Sequence, residues 1–224
     1  RGPQSWGSGL ATRRRPLPGG WADGTDATRA ARAPADRQIG DAVGTLNSTL
    51  AQLQELNVEL RSFTGAGRDI SALLDKRQQL VDQISAIVPV REVPRDLNQI
   101  ALYTAGGAPL LDGSAAVIGF STTHTITPEM TQASGGLSGI TINGRPYDTA
   151  GSASPILGGT LRALFAVRDD LAVSAQGRLD AAARDLVERF SSATVDPPRV
   201  PAAPGLFTYA GAAFDPHKHA GRPA

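Results

Sequence analysis

The chain has 224 residues, 41% apolar and 5% aromatic, enough for one large or two modest domains around a mostly aliphatic core. It has no cysteine and a formal charge of +1, which excludes disulfides, thiolate metal sites and Cys-based catalysis and argues against a dedicated nucleic-acid surface. No apolar run reaches the roughly 18 residues of a membrane span, and the Arg-rich start lacks the apolar stretch of a secretory signal peptide. Neither membrane insertion nor a cleavable signal is therefore expected.

The positive charge is uneven. Residues 1–37 hold seven Arg against three Asp, leaving 15 basic and 18 acidic residues in a mildly acidic body. Residues 1–35 are rich in Gly, Pro, Arg and Ala, contain Trp6 and Trp21, and show no periodicity. Such a segment buries too little to offset its ordering entropy, so a disordered arm is expected. A nucleic-acid tail built on Arg13, Arg14 and Arg15 is one alternative, and out-of-frame translation of a GC-rich gene is another.

Residues 36–88 read as a helical hairpin. In the first helix, about Asp36 to Phe63, Ile39, Val43, Leu46, Leu50, Leu53, Asn57 and Leu60 recur on steps of three and four; Gly65 and Gly67 end it. Asp69 is placed to cap the second helix, whose stripe is Ile70, Leu73, Arg77, Leu80, Ile84 and Ile87, and Pro89 stops it after Val88. A repeat averaging 3.5 residues is the spacing of a coiled-coil seam. Asn57 and Arg77 interrupt that seam and are expected to set helix register, Arg77 by pairing with an interhelical carboxylate.

Beyond Pro89 the period falls toward two. Strands are expected at 90–93, 99–104, 116–121, 123–126 and 139–142, separated by Gly106-Gly107, Asp112-Gly113, Gly135-Gly136 and Asn143-Gly144, the last favouring a two-residue hairpin turn. Residues 89–157 thus form a β-rich insert. Residues 158–194 make a third long helix with Leu164, Leu171, Leu179 and Leu186 on one side, weakened at Gly177 and carrying an exposed Asp180, Arg184, Glu188 ladder. Residues 195–224 form a Pro/Gly-rich tail. The expected class is α+β: a long-helix bundle of three long helices with coiled-coil-like seams, plus a small antiparallel β insert.

Signs of chemistry are scarce. His124 lies in a Thr-rich segment, and His217 and His219 flank Lys218 near the Pro- and Gly-rich end, without a carboxylate cluster at ligand spacing. No HExxH, GxSxG or GK[ST] stretch occurs. The Gly-rich segments at 65–69, 104–113 and 134–139 read as turns. Asp169 and Asp170 are adjacent, so on a helix they point apart rather than forming a dyad. No catalytic residue, metal site or cofactor is expected, and the chain is read as a non-enzyme.

Four blocks carry a resemblance: LNSTLAQLQELN (46–57), LLDKRQQLVDQIS (73–85), LLDG (110–113) and GGTLRALFAVRDDL (158–171). In order and spacing they are similar to the hook-associated protein 1 (FlgK-type) family of the flagellar hook–filament junction, and PGLFTYAGAAFDP (204–216) is a weaker continuation. The resemblance covers about Asp36 to Pro216. It implies a structural, exported component of the flagellum, outside the cell, with itself, the hook protein and the second hook-associated protein as partners. The family's opening helix with its ANxxTxGY signature and its closing helix are not matched, which implies a central fragment unable to polymerise alone, arising by frameshift, truncation or domain loss. Two other readings remain open: a secreted adhesin or phage-tail-like fibre, and, more remotely, a hydrolase using His124.

Overall fold

The computed structural model describes residues 20–190 except Pro128, Glu129, Ala133, Ser152 and Ala153, and gives the backbone alone for residues 20–30, Val187, Glu188 and Phe190. Residues 1–19 and 191–224 lie outside the description, and with them most of the expected arm, the expected tail and both His217 and His219. The chain divides into two compact units, one of them Ala27–Ser174, with the described residues outside that range belonging to the other.

Helix α1 (Gly20–Gly65) has 46 residues and begins well before the expected start at Asp36, so residues 20–35 are helical rather than part of a disordered arm. It runs through Pro34, which removes one backbone donor and crowds the preceding turn at a cost of about 3 kcal/mol. Tertiary bonds on both sides of the proline, from Arg32 and Asp36, oppose that cost. Local propensity alone gives no hint of them. Helix α2 (Ser71–Ile87) starts where the Asp69 carboxylate accepts the Ser71 N–H at 3.0 Å and the Ser71 hydroxyl at 2.8 Å, and these bonds hold the Asp69 pKa below the usual carboxylate range. It stops before Pro89.

The insert contains two antiparallel sheets. Strands β1 (Val90–Pro94), β2 (Ile100–Thr104), β3 (Pro109–Asp112) and β4 (Ser114–Ala115) lie in the order β1-β2-β3-β4. Strands β5 (Ile118–Gly119), β6 (Ile140–Ile142) and β7 (Arg145–Tyr147) form the second sheet. Asn143 and Gly144, at φ 51° and 76°, make the tight β6–β7 turn, with Ile142 opposite Arg145. The expected strand at 116–121 contracts to β5, and 123–126 is not a strand, because the Thr123 N–H is bonded to Asp36 rather than to a ladder.

The apolar stripe of α1 and the buried Leu80, Val81 and Ile84 of α2 enter one core with Ile100, Leu102, Leu110, Leu111, Ile118, Ile140, Ile142, Leu161 and Phe165. The core is therefore a mixed helix-and-sheet core rather than the dedicated helix-on-helix seam expected from periodicity. Arg77 corrects a second expectation: its Nη1 donates to the Asn98 carbonyl at 3.0 Å in the β1–β2 turn, not to a carboxylate on another helix.

Helix α3 (Gly159–Phe165) is followed by a π turn (Ala166–Leu171) and by α4 (Ala172–Phe190). Its start meets the end of α2. The Thr160 hydroxyl donates to the Ala86 carbonyl at 2.9 Å, filling one of the acceptors a helix C-terminus leaves open. At Gly159 φ is +76° and a Cβ would fall on the Ile87 carbonyl. In α4, Gln176 donates to Asp180 at 2.8 Å and Arg189 pairs with Asp185 at 2.9 Å, while the Glu188 side chain of the expected ladder lies outside the description. Gly177 faces open space.

These two glycines should respond oppositely to alanine. Gly159→Ala is expected to destabilise by about 2 kcal/mol or more, and Gly177→Ala to stabilise by about 0.5–1 kcal/mol, both read from urea unfolding midpoints. Shifts in the same direction would contradict this account of the α2–α3 junction.

Candidate functional site: a polar line on the first helix

Five α1 side chains reach the backbone of distant segments. Arg32, Asp36, Asn47, Gln54 and Asn57 fall within about 80° of helix arc at 100° per residue, interleaved with the apolar stripe. Asn47 bonds both backbone groups of Ile118 in β5: Nδ2 donates to the carbonyl at 2.8 Å, and Oδ1 accepts the N–H at 2.8 Å. Asn57 does the same at Ile100 in β2, at 2.8 and 3.2 Å. Gln54 Oε1 accepts the Ala115 N–H of β4 at 2.6 Å, and Asp36 Oδ2 accepts the Thr123 N–H at 2.6 Å. A primary amide carries a donor and an acceptor, so it can stand in for a peptide group of a neighbouring strand. Helix α1 thereby acts as a surrogate strand beside both sheets.

A buried charge cluster lies at the N-terminal end of this line. The Arg168 and Asp36 side chains are both 0% exposed, with Arg168 Nη1 2.6 Å from Asp36 Oδ1. Arg168 also binds Asp169 through Nε at 2.8 Å and Nη2 at 2.9 Å, and donates to the Ser138 carbonyl at 2.9 Å. Its guanidinium carbon lies 4.9 Å from the Phe165 ring centroid and 5.7 Å from that of Phe120. Burial opposes the Arg168 charge, but hydrogen bonds and Coulombic attraction from Asp169 and Asp36 outweigh it and raise the pKa. Arg32 donates to the carbonyls of Arg168 at 2.9 Å, Thr127 at 3.1 Å and Met130 at 2.6 Å. Burial lowers its pKa, Asp169 opposes that shift and Arg168 adds to it. Both guanidinium groups remain charged at neutral pH. The cluster ties α1, the 121–138 segment and the π turn together.

Of the residues singled out from sequence, Ile39, Val43, Leu46, Leu50, Leu53, Asn57, Leu60, Leu80 and Ile84 are buried. Ile70, Leu73, Arg77, Ile87, Leu164, Leu179 and Leu186 are half-buried. Leu171 is 62% exposed. The π turn adds to the residues per helical turn, so Leu171 falls out of phase with Leu164, while Arg168 lies seven residues from Leu161 on the same buried face. Sequence reasoning missed Arg32, Asp36, Asn47, Gln54 and Arg168. The signal was present in the 11- and 7-residue spacing of Asp36, Asn47 and Gln54, in phase with the apolar stripe.

Among the described residues there is no group of three or more His, Cys, Asp or Glu able to hold a metal. His124 sits in a bend between β5 and β6. An apolar hollow in the core is lined by Leu46, Val88, Leu110, Ile118, Ile140 and Leu161, among others, with Thr104 its one polar lining residue.

Arg168→Met should cost about 3–5 kcal/mol, because it leaves Asp36 charged and buried without its partner. Combining it with Asp36→Asn, which keeps an acceptor for Thr123, should recover part of that loss in urea unfolding. A single-substitution cost below about 1 kcal/mol, the level of an exposed pair, would show that the cluster does not anchor the body.

Residues 21–195 match the family model described as the flagellar hook-associated protein FlgK helical domain. Flagellar hook-associated protein 1 of Salmonella typhimurium is 36% identical over 80 residues, 35% of this chain and 14% of that protein. The Escherichia coli K12 protein of the same name is 33% identical over 87 residues, 36% of this chain and 16% of its own length. The flagellar hook junction protein FlgK from Burkholderia pseudomallei shares the fold, with TM-score 0.60 and 21% identity over 76% of this chain and 30% of that one. The matched part of the chain thus spans only about a seventh of the length of these curated relatives. With the family model covering most of its residues, the chain belongs to the FlgK helical-domain family of flagellar hook-associated proteins.

Proposed function

We propose that this chain supplies the structural body of a hook-associated subunit at the hook–filament junction, outside the cell, and acts through contact rather than catalysis. The observation that carries the reading is the match of residues 21–195 to the FlgK helical domain, supported by the fold shared with the Burkholderia junction protein. In this reading the stripes from Ile39 to Leu60 and from Leu80 to Ile84 stiffen the subunit from within. The 89–157 insert faces outward. The partners are further copies of the subunit, the hook protein and the second hook-associated protein. No helix among the described residues is long and apolar enough to cross a membrane. An adhesin or phage-tail-like fibre would share long helices with a β insert, but the family match weighs against it.

Deleting the encoding gene in its own bacterium should abolish swimming and leave hooks without filaments, with filament subunits lost to the medium. Supplying the gene on a plasmid should restore both. A deletion strain that swims normally but adheres poorly would replace the junction reading with the adhesin one.

A further inference from the structure

The four outer edges of the two sheets are all obstructed, each by side chains or residue types of this chain. In the second sheet, Asn143-Gly144 forms a two-residue hairpin turn with Ile142 opposite Arg145, so those two residues exchange the closing hydrogen bonds. Bonded and non-bonded pairs alternate along an antiparallel ladder. The next pair, Thr141 and Pro146, is therefore non-bonded, and the backbone of residue 146 faces the free side of β7. That is the single outward position of a three-residue strand, and proline has no N–H to offer there.

The same alternation carries across to β5. Thr141 faces Gly119, and Ile118 turns both backbone groups away from β6; Asn47 occupies both, at 2.8 Å each. In the first sheet Gln54 takes the Ala115 N–H of β4 at 2.6 Å. Strand β1 is different. The Ala105 N–H donates to Pro89 O at 2.9 Å, which fixes the phase of the ladder and turns Val90, Glu92 and Pro94 outward. A two-fold pairing of β1 with a second copy keeps each residue on its own sheet face, so one residue must stand opposite itself. The register that overlaps most places Glu92 against Glu92, and one of the next two places Arg91 against Arg91, like charges directly opposite being destabilising. The other, centred on Val93, sets Glu92 against Pro94, which has no N–H to donate.

We infer that these features form one device, which keeps the β insert from pairing edge to edge with other copies of the chain, with Pro146 and Asn47 closing the second sheet. It goes beyond a junction role and does not depend on one. Pro146 is exposed and among the described residues bonds nothing on α1, so Pro146→Val restores an outward donor without touching the core.

The test compares sedimentation velocity of the parent chain, Pro146→Val, and Pro146→Val combined with Asn47→Ala, alongside amide hydrogen exchange. The expected result is self-association about tenfold tighter for Pro146→Val, stronger again for the double variant if it folds, and slowed exchange at the new amide of position 146 in the associated form. Folded Pro146→Val that associates no more than the parent would overturn the inference. So would association that leaves the β7 amides unprotected.

Discussion

The body of this protein depends on one constraint: a single face of α1 must satisfy both an aliphatic core and a set of backbone groups that the short strands cannot pair among themselves. Strands of two to five residues leave many N–H and C=O groups at their ends and edges, and a buried unpaired group costs about 1–3 kcal/mol. Asn47, Gln54 and Asn57 meet that need from within the apolar stripe. The insert is consequently no appendage. Its entry at Pro89 and exit at Gly158 lie side by side, as for an inserted module, yet its sheets are completed by a helix that precedes it in sequence.

The Asp36–Arg168 cluster closes the same arrangement at the N-terminal end of the α1 face. Two arginines and the fully buried Asp36 carboxylate out of water are costly, and the cluster holds because every guanidinium nitrogen finds an oxygen. Arg32 finds three carbonyls, and Arg168 finds two carboxylates and one carbonyl. Arg168 continues the buried face of Leu161 and Phe165, on steps of four and three, into the π turn at Ala166–Leu171, and Leu171 at the end of that turn is exposed. Specific charge pairing, together with the burial of Leu161 and Phe165 in the shared core, fixes how α1 meets the start of the third helical stretch. For a subunit proposed to act through contact, such pairing favours a single geometry over a family of sliding ones.

Much of this was legible in the residues. The stripes on α1 and α2, the stop at Pro89, the Asn143-Gly144 turn and the α+β class follow from periodicity and turn chemistry, and four short blocks already resembled the family. What stripes bury against was not legible, because a 3.5-residue period reports a buried face and not the partner's type. The spacing of Ile39 to Leu60 fits a sheet as well as a second helix. Helix α1 beyond Asp36 was hidden because Pro34 and the Arg-rich stretch read locally as non-helical, while the contacts holding them come from residues about a hundred positions away. Arg77 was assigned a carboxylate where the fold offers the Asn98 carbonyl, since sequence distance does not show which turn folds back over a helix.

The most direct test of the central claim is native-state hydrogen exchange at the four amides bonded by α1 side chains: Ile100, Ala115, Ile118 and Thr123. If α1 completes the sheets, all four exchange only through global unfolding, with the same denaturant dependence as the amides in the middle of α1. Exchange of these amides at loop-like rates while the α1 backbone stays protected would show that the helix and the insert fold as separate bodies, and the account would fail.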